Sequence, residues 1–141
     1  MNLDISVTIN NLTIDAGNAL AVNNSLVLTL NSGAGAGSIF SNGNLALNSA
    51  GANTDLQLVS GGTVTLSGSG TLTMSNNANN RIFGVSSTEF VIGAGQLVQG
   101  AGQIGVGQTT IANNGTITAN QSAGLTLSCL AANSSVEGQI F

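Results

Sequence analysis

Short alternations of aliphatic and polar residues recur along the whole chain about every seven to nine residues, divided by Gly, Asn and Ser turns, which is the beat of short β-strands. Val64 and Leu66 alternate with Thr63 and Thr65, and the same pattern returns at Leu72 and Met74, at Ile117 and Ala119, and at Leu125 and Leu127. Period two sends one set inward and the other to solvent. Successive anchors include Leu12, Leu20, Leu26, Ile39, Leu45 and Leu56, and later Phe90, Leu97, Ile104, Ile111, Leu125 and Val136. Three such steps close one coil of roughly 21–24 residues, which predicts an all-β fold, a right-handed parallel β-helix of about six coils. At about 4.8 Å per coil the rod is on the order of 28 Å long. Inward positions on this reading are Leu12, Val64, Leu66, Leu72, Ile117, Leu125 and Leu127.

The turns fit. Asn42-Gly43 and Asn114-Gly115 supply positive φ, and Asn23-Asn24, Asn76-Asn77, Asn79-Asn80 and Asn113-Asn114 stand where the chain must bend. Asn at equivalent corners can stack its amides into ladders. The longest low-complexity stretch, SGAGAGS from Ser32 to Ser38, reads as a loose turn. No stretch holds a 3.6-residue period, and 20 glycines oppose helix. The alternative fold is a β-sandwich, which asks for larger core residues and more outward charge.

Composition sharpens the picture. The 141 residues form a single domain, 1–141, with no linker or compositional break. The chain has no Trp, Tyr, Pro or His and four Phe, so a core of Leu, Ile, Val and Ala must fill thin repeated layers. Charge is sparse: Arg81 against Asp4, Asp15, Asp55, Glu89 and Glu137, for a net −4. One arginine cannot displace the counterions on which phosphate binding depends, so a nucleic-acid partner is excluded and an anionic membrane surface disfavoured. No apolar run reaches the length of a membrane span, and NLDISVTINN after Met1 lacks the basic start and apolar centre of a signal peptide. Cys129, alone and in phase with Leu125 and Leu127, reads as a buried inert thiol.

Chemistry-bearing groups are thin on the chain. Polysaccharide cleavage on a β-helix needs carboxylates gathered on one face. Successive carboxylates stand 11, 40, 34 and 48 residues apart, so no neighbouring pair falls one coil apart. Catalytic, cofactor-binding and metal-ligating residues are therefore expected to be absent, and the chain is read as no enzyme. Arg81 and Glu89, eight apart, are expected on successive faces, at most as a solvated pair. Gly61-Gly62 is followed by no aspartate in register for a calcium-binding repeat, and the glycines of GAGQIGVG precede neither a helix nor a suitably placed acid. Sequons at Asn11, Asn23, Asn114, Asn120 and Asn133 are what so much Asn, Ser and Thr generates by chance. The pairs Thr63/Thr65 and Thr71/Thr73 fall on different faces and do not build a flat threonine array, and Thr116/Thr118 repeats the motif farther on.

GGTVTLSGSGTLTMSNNANNRI and VIGAGQLVQGAGQIGVGQTTIANNGTITANQSAGLTL, most of Gly61–Leu127, resemble the β-strand-repeat regions of large secreted bacterial surface proteins, similar to autotransporter passengers and filamentous-haemagglutinin-like adhesins. NNLTIDAGNALAVNNSLVLTL resembles another such repeat. The resemblance implies export, a right-handed parallel β-helix, and service as a stalk, an adhesive surface or a matrix component outside the cell. Two further readings stand beside it: an extracellular filament subunit that stacks head to tail, and a carbohydrate-active β-helix. The expected partners are the chain itself or adjacent repeats end to end, with host or environmental surfaces or glycans on its faces, as a segment of a longer repeat protein or as a filament subunit. With no lysine, proline or capping helix to blunt its terminal coils, the chain is expected to assemble through Leu3, Ile5, Val136, Ile140 and Phe141.

Overall fold

A computed structural model describes residues 1–85, 88–130 and 134–141, and among these every regular element is a β-strand. The strands follow one another in rungs of three. The first rung is β1 (Asn2–Leu3), β2 (Val7–Ile9) and β3 (Asn11–Ile14); the second is β4 (Ala19–Asn23), β5 (Val27–Gly33) and β6 (Gly37–Ser41). The third is β7 (Asn44–Asn48), β8 (Thr54–Ser60) and β9 (Thr63–Ser67), and the fourth β10 (Thr71–Met74), β11 (Asn80–Gly84) and β12 (Glu89–Ile92). The fifth is β13 (Leu97–Gln99), β14 (Gly102–Ile104) and β15 (Thr110–Asn113), and the sixth β16 (Thr116–Thr118), β17 (Leu125–Leu127) and β18 (Ser135–Val136). β19 (Gln139–Ile140) opens one more rung.

Every third strand shares a sheet. A first face runs β1-β4-β7-β10-β13-β16-β19, a second β2-β5-β8-β11-β14-β17 and a third β3-β6-β9-β12-β15-β18. Every pairing among the described residues is parallel. The chain is thus a three-faced β-solenoid, as the alternation predicts, and the sandwich, whose sheets are antiparallel, is excluded. Coil length varies more than expected, from 19 residues between Leu97 and Thr116 to 28 between Val27 and Asp55. The strands carry most of the difference: β13, β14 and β15 have 3, 3 and 4 residues, whereas β5, β6 and β7 have 7, 5 and 5. The β13–β14 corner is Gly100-Ala101, whereas the β7–β8 corner spans residues 49–53.

The interior is a stack of aliphatic layers. Leu28, Leu56, Ile82 and Ile104 stand over one another on the second face, and Ile39, Leu66 and Ile92 on the third, all essentially without exposure. Leu12, Leu125, Leu127 and Cys129 pack against this core from the terminal rungs and are half-buried. One anchor is misplaced by the sequence pattern. Leu97 pairs with the outward Thr71 and Thr116, and its neighbour Val98 fills the core. The reason is Gln96, which takes the buried corner position ahead of it and shifts the phase by one. SGAGAGS is also tighter than a loose turn, since β5 extends to Gly33 and β6 starts at Gly37.

Each corner carries a buried polar column that pins one rung to the next. Between the first and second faces, fully buried Asn80 accepts from the Ser49 amide at 2.9 Å, and its Nδ2 lies 2.9–3.1 Å from the carbonyl oxygens of Ser75, Asn77 and Ala101, so one side chain ties three rungs. Between the second and third faces Ser60, Thr88 and Thr109 follow one another. Ser60 Oγ donates to Gly35 O at 2.9 Å, Thr88 Oγ1 sits 2.7 Å from Ser60 O, and Thr109 Oγ1 accepts from the Gly84 amide at 2.6 Å. At the third corner Gln96 Nε2 donates to Ser67 O at 2.8 Å and to Ser41 O, two rungs down, at 2.9 Å. Gly43 and Gly115 do not take the positive φ expected of them; at this same corner Gly43 and Gly70 are required for space instead, since a Cβ would overlap the carbonyl oxygen of Asn18 or Gly43 respectively.

Candidate functional site: the outer faces and the terminal rungs

Ionisable groups are dispersed over the rod. Asp4 follows β1, Asp15 follows β3, Glu89 stands on the third face and Glu137 precedes β19. Among the described residues no three His, Cys, Asp or Glu come together as a cation site. Asp15 and Asp55, about two coils apart in sequence, occupy a corner and the second face; Glu89 and Glu137 likewise separate. Glu89 Oε2 accepts from Thr63 Oγ1 directly below it at 2.9 Å.

The expected relation between Arg81 and Glu89 is replaced by another. The two stand on different faces, as predicted, but Arg81 is bidentate to Asp55, with Nε 2.8 Å from Oδ1 and Nη2 2.6 Å from Oδ2. The hydrogen bond to Asp55 raises the guanidinium pKa further, and its charge adds to this against the opposing effect of burial. The Phe83 ring lies under Arg81, 5.1 Å from Cζ to centroid. Asp55 and Arg81 are register partners one coil apart. Their spacing of 26 residues exceeds the 21–24 that the shorter coils suggest, which hid the pair from a spacing argument.

The rest of each face is mainly hydroxyl, amide and aliphatic, with Phe40, 43 % exposed, standing outward on the third face. The first face carries Ala19, Asn44, Thr71, Leu97, Thr116 and Gln139 in one column. Leu97 and Gln99 interrupt the threonines at Thr71/Thr73 and Thr116/Thr118, and Thr63/Thr65 stand on the third face, so no flat threonine array forms. A shallow groove of about 570 Å³ follows this face along Asn42, Asn44, Ser69, Thr73 and Gln99. A second, of about 420 Å³, lies by Met1, Leu12 and Leu20. Several sequon asparagines are engaged: Asn11 Oδ1 accepts from Ser38, Asn23 Nδ2 donates to Leu3 O and Asn120 Nδ2 to Gln99 Oε1. Asn133 lies outside the described residues. No helix of the described residues is long and apolar enough to cross a membrane.

The five assembly candidates divide between the two ends. Leu3 in β1 is half-buried against the core, and Ile5, in the bend that follows, is 64 % exposed. At the other end Val136 sits in β18, Ile140 in β19 is 50 % exposed and Phe141 is 68 % exposed. Phe141 is nonetheless held, its amide donating to Ile117 O and its carbonyl accepting from the Ala119 amide, both at 2.9 Å. The buried nodes Asn80, Thr88, Thr109 and Gln96 escape a reading of the sequence, because polar residues at loop positions look solvent-facing until the rungs are stacked.

No protein-family model, curated protein or solved structure matches the chain.

Proposed function

We propose that the chain is a non-enzymatic structural or adhesive solenoid, a stalk, surface or matrix element working outside a bacterial cell. The observation that supports this most is the outer surface: columns of Asn, Gln, Ser and Thr with scattered charges, the lone arginine being paired with Asp55. Such a surface presents many neutral donors and acceptors at a fixed rise of about 4.8 Å per rung, suited to broad contact with other surfaces or with neutral glycans. The extracellular placement rests on the resemblance of Gly61–Leu127 to secreted repeat regions.

Two measurements test the proposal. Antibody labelling of intact producing cells should find the chain at the surface or in the matrix, and beads coated with it should be retained on polysaccharide or abiotic surfaces above a charge-matched control. Saturable turnover of any polysaccharide by the purified chain, or labelling only after lysis, would overturn it.

A further inference from the structure

We propose that the groove along the first face is a binding site for a neutral glycan chain laid parallel to the rod axis; this rests on the adhesive reading above and names the place where contact is made. The groove runs from Gly17 and Asn18 past Asn44 and Thr71 to Gln99, and so crosses the second to the fifth rungs. Three rung steps of about 4.8 Å give it a length of about 14 Å, that of a short oligosaccharide. Its volume of about 570 Å³ is that of a small-ligand site. Gly43 and Gly70 line it at the third corner, and neither can carry a side chain without striking a carbonyl oxygen. Backbone crowding therefore keeps the channel clear.

The lining sets the ligand class. None of its side chains is ionisable or aromatic, and its one aliphatic residue is Ala19. Asn42 Oδ1 accepts from the Ser69 amide at 3.0 Å and from Ser69 Oγ at 3.2 Å, and Asn44 Oδ1 accepts from Thr73 Oγ1 at 2.9 Å. Each oxygen is pinned, which leaves Nδ2 of both asparagines without a protein acceptor among the described residues. Gln99 Oε1 is likewise taken, by Asn120 Nδ2 at 3.1 Å, and Thr71 adds its hydroxyl at the register position above Asn44. The groove thus offers an excess of oriented, uncharged donors. Sugar hydroxyl and ether oxygens accept such bonds while their own hydroxyl hydrogens turn to water, so a glycan satisfies this lining. An extended peptide does not, because its backbone N–H groups would find the side-chain oxygens of Asn42, Asn44 and Gln99 already occupied. An anionic chain would meet no cation to offset its desolvation, since Arg81 is on the second face bound to Asp55, and exposed Asp15 stands just ahead of Gly17. With neither a ring to stack on nor a charge to pair, each groove binds weakly, and retention on a surface comes from many copies acting together.

The pinned oxygens make the test specific. Asn42→Asp combined with Asn44→Asp keeps the oxygens that Ser69 and Thr73 bind and removes only the outward donors. The probes are cellohexaose, maltohexaose and N-acetylchitohexaose, titrated into the whole chain and followed by the side-chain amide resonances of asparagine and glutamine. At least one of them should shift the Asn42, Asn44 and Gln99 signals saturably. The double variant, read at Gln99, should weaken that binding roughly tenfold, the loss of two neutral hydrogen bonds. Asn31→Asp is the control, because its oxygen is held by the Gly33 amide in the same way but on the second face, and it should leave binding unchanged. Thr71→Val, which removes an outward hydroxyl and keeps the β-branched shape, should weaken binding severalfold at an unchanged melting temperature, and it carries the test if the double variant does not fold. No saturable shift with any of the three hexamers, shifts confined to another face, or tighter binding of hexagalacturonate or of an extended Gly-Ser peptide would overturn the proposal. Beads coated with the double variant that are retained on polysaccharide as well as beads coated with the parent chain would overturn the groove and leave the adhesive reading standing. Parent beads that are not retained, while hexamer binding in solution persists, would overturn the adhesive reading and leave the groove.

Discussion

Asn80 is the residue whose loss should cost the fold most for its size. It is fully buried, and truncation to alanine strands the Ser49 amide, itself nearly buried, and deprives the buried Ala101 carbonyl of the Nδ2 donor. A buried polar group left unpaired costs about 1–3 kcal/mol, so these two give about 2–6 kcal/mol. Domains of this size are stable by about 5–15 kcal/mol, and the variant should lose a large share of that. Urea denaturation followed by circular dichroism measures the difference, with Asn10→Ala, at an exposed asparagine, as the control expected within about 0.5 kcal/mol of the parent. If Asn80→Ala unfolded within about 1 kcal/mol of the parent, the corner would not be the clamp inferred here.

Asn80→Asp gives the same argument a pH axis. The new carboxylate would still accept from Ser49, but its second oxygen would face the Ser75, Asn77 and Ala101 carbonyls where the amide now donates. Burial and those carbonyls hold the folded-state pKa above the unfolded value of about 3.9. The folded state then keeps its proton longer than the unfolded state. The variant's deficit is smallest below about pH 4, widens as pH rises toward the folded pKa and is constant above it. A pH-independent difference from the parent would contradict the donor geometry.

Three further outcomes follow from the packing. Arg81→Ala leaves the Asp55 carboxylate, 8 % exposed, without its bidentate partner. It should cost about 1–3 kcal/mol after allowing for the guanidinium's partial exposure, whereas replacing both residues by valine should recover to within about 1 kcal/mol, read by a double-mutant cycle in urea. Because the arginine pKa is raised, its share of the pair's stability is complete below the ordinary arginine value and is lost only above it, so it adds no slope between pH 6 and 9. Leu56→Ala, in the middle of the stack, should cost about 2–5 kcal/mol, and Leu125→Ala, half-buried in the last rung, less than half as much; equal costs would refute the graded burial. Gly70→Ala should lower the melting temperature by several degrees, because its Cβ would overlap the Gly43 carbonyl. Gly61→Ala, with ordinary contacts from 3.7 Å, should leave it nearly unchanged.

The strands were legible because their alternation is a local signal: Val64/Leu66 and Leu72/Met74 face inward for the reason their spacing states. Leu97 was misread because a single buried glutamine upstream moved the phase, and nothing in a run of GAGQLVQG says which polar residue will turn inward. Coil length was underestimated for a related reason. Strands of three residues and strands of seven stack in the same parallel sheets, so counting from strand to strand in the short rungs cannot give the length of the long ones. Asp55 and Arg81 show the consequence: a pair set by stacking emerges only once the local coil length is known. Of the assembly candidates, Ile5, Ile140 and Phe141 are exposed and Leu3 is half-buried, and their division between first and last rungs follows from the topology alone.

An aliphatic interior of this kind has little means of fixing its own register. Leu28, Leu56, Ile82 and Ile104 form a column in which any layer resembles the next, and sliding a strand by two residues would exchange one leucine for another at small cost. The corners do not tolerate that slip. Moving β11 by two residues takes Asn80 out of reach of Ser49 and Ala101, and moving β12 the same way carries Thr88 off the Ser60 carbonyl. Each displacement leaves buried donors or acceptors unpaired, at about 1–3 kcal/mol apiece, while gaining no apolar contact in return. The polar columns therefore discriminate the native stacking from its neighbours in a way the core cannot. They do so at each of the three corners, where the chain changes direction and where coils of unequal length must be brought back into step.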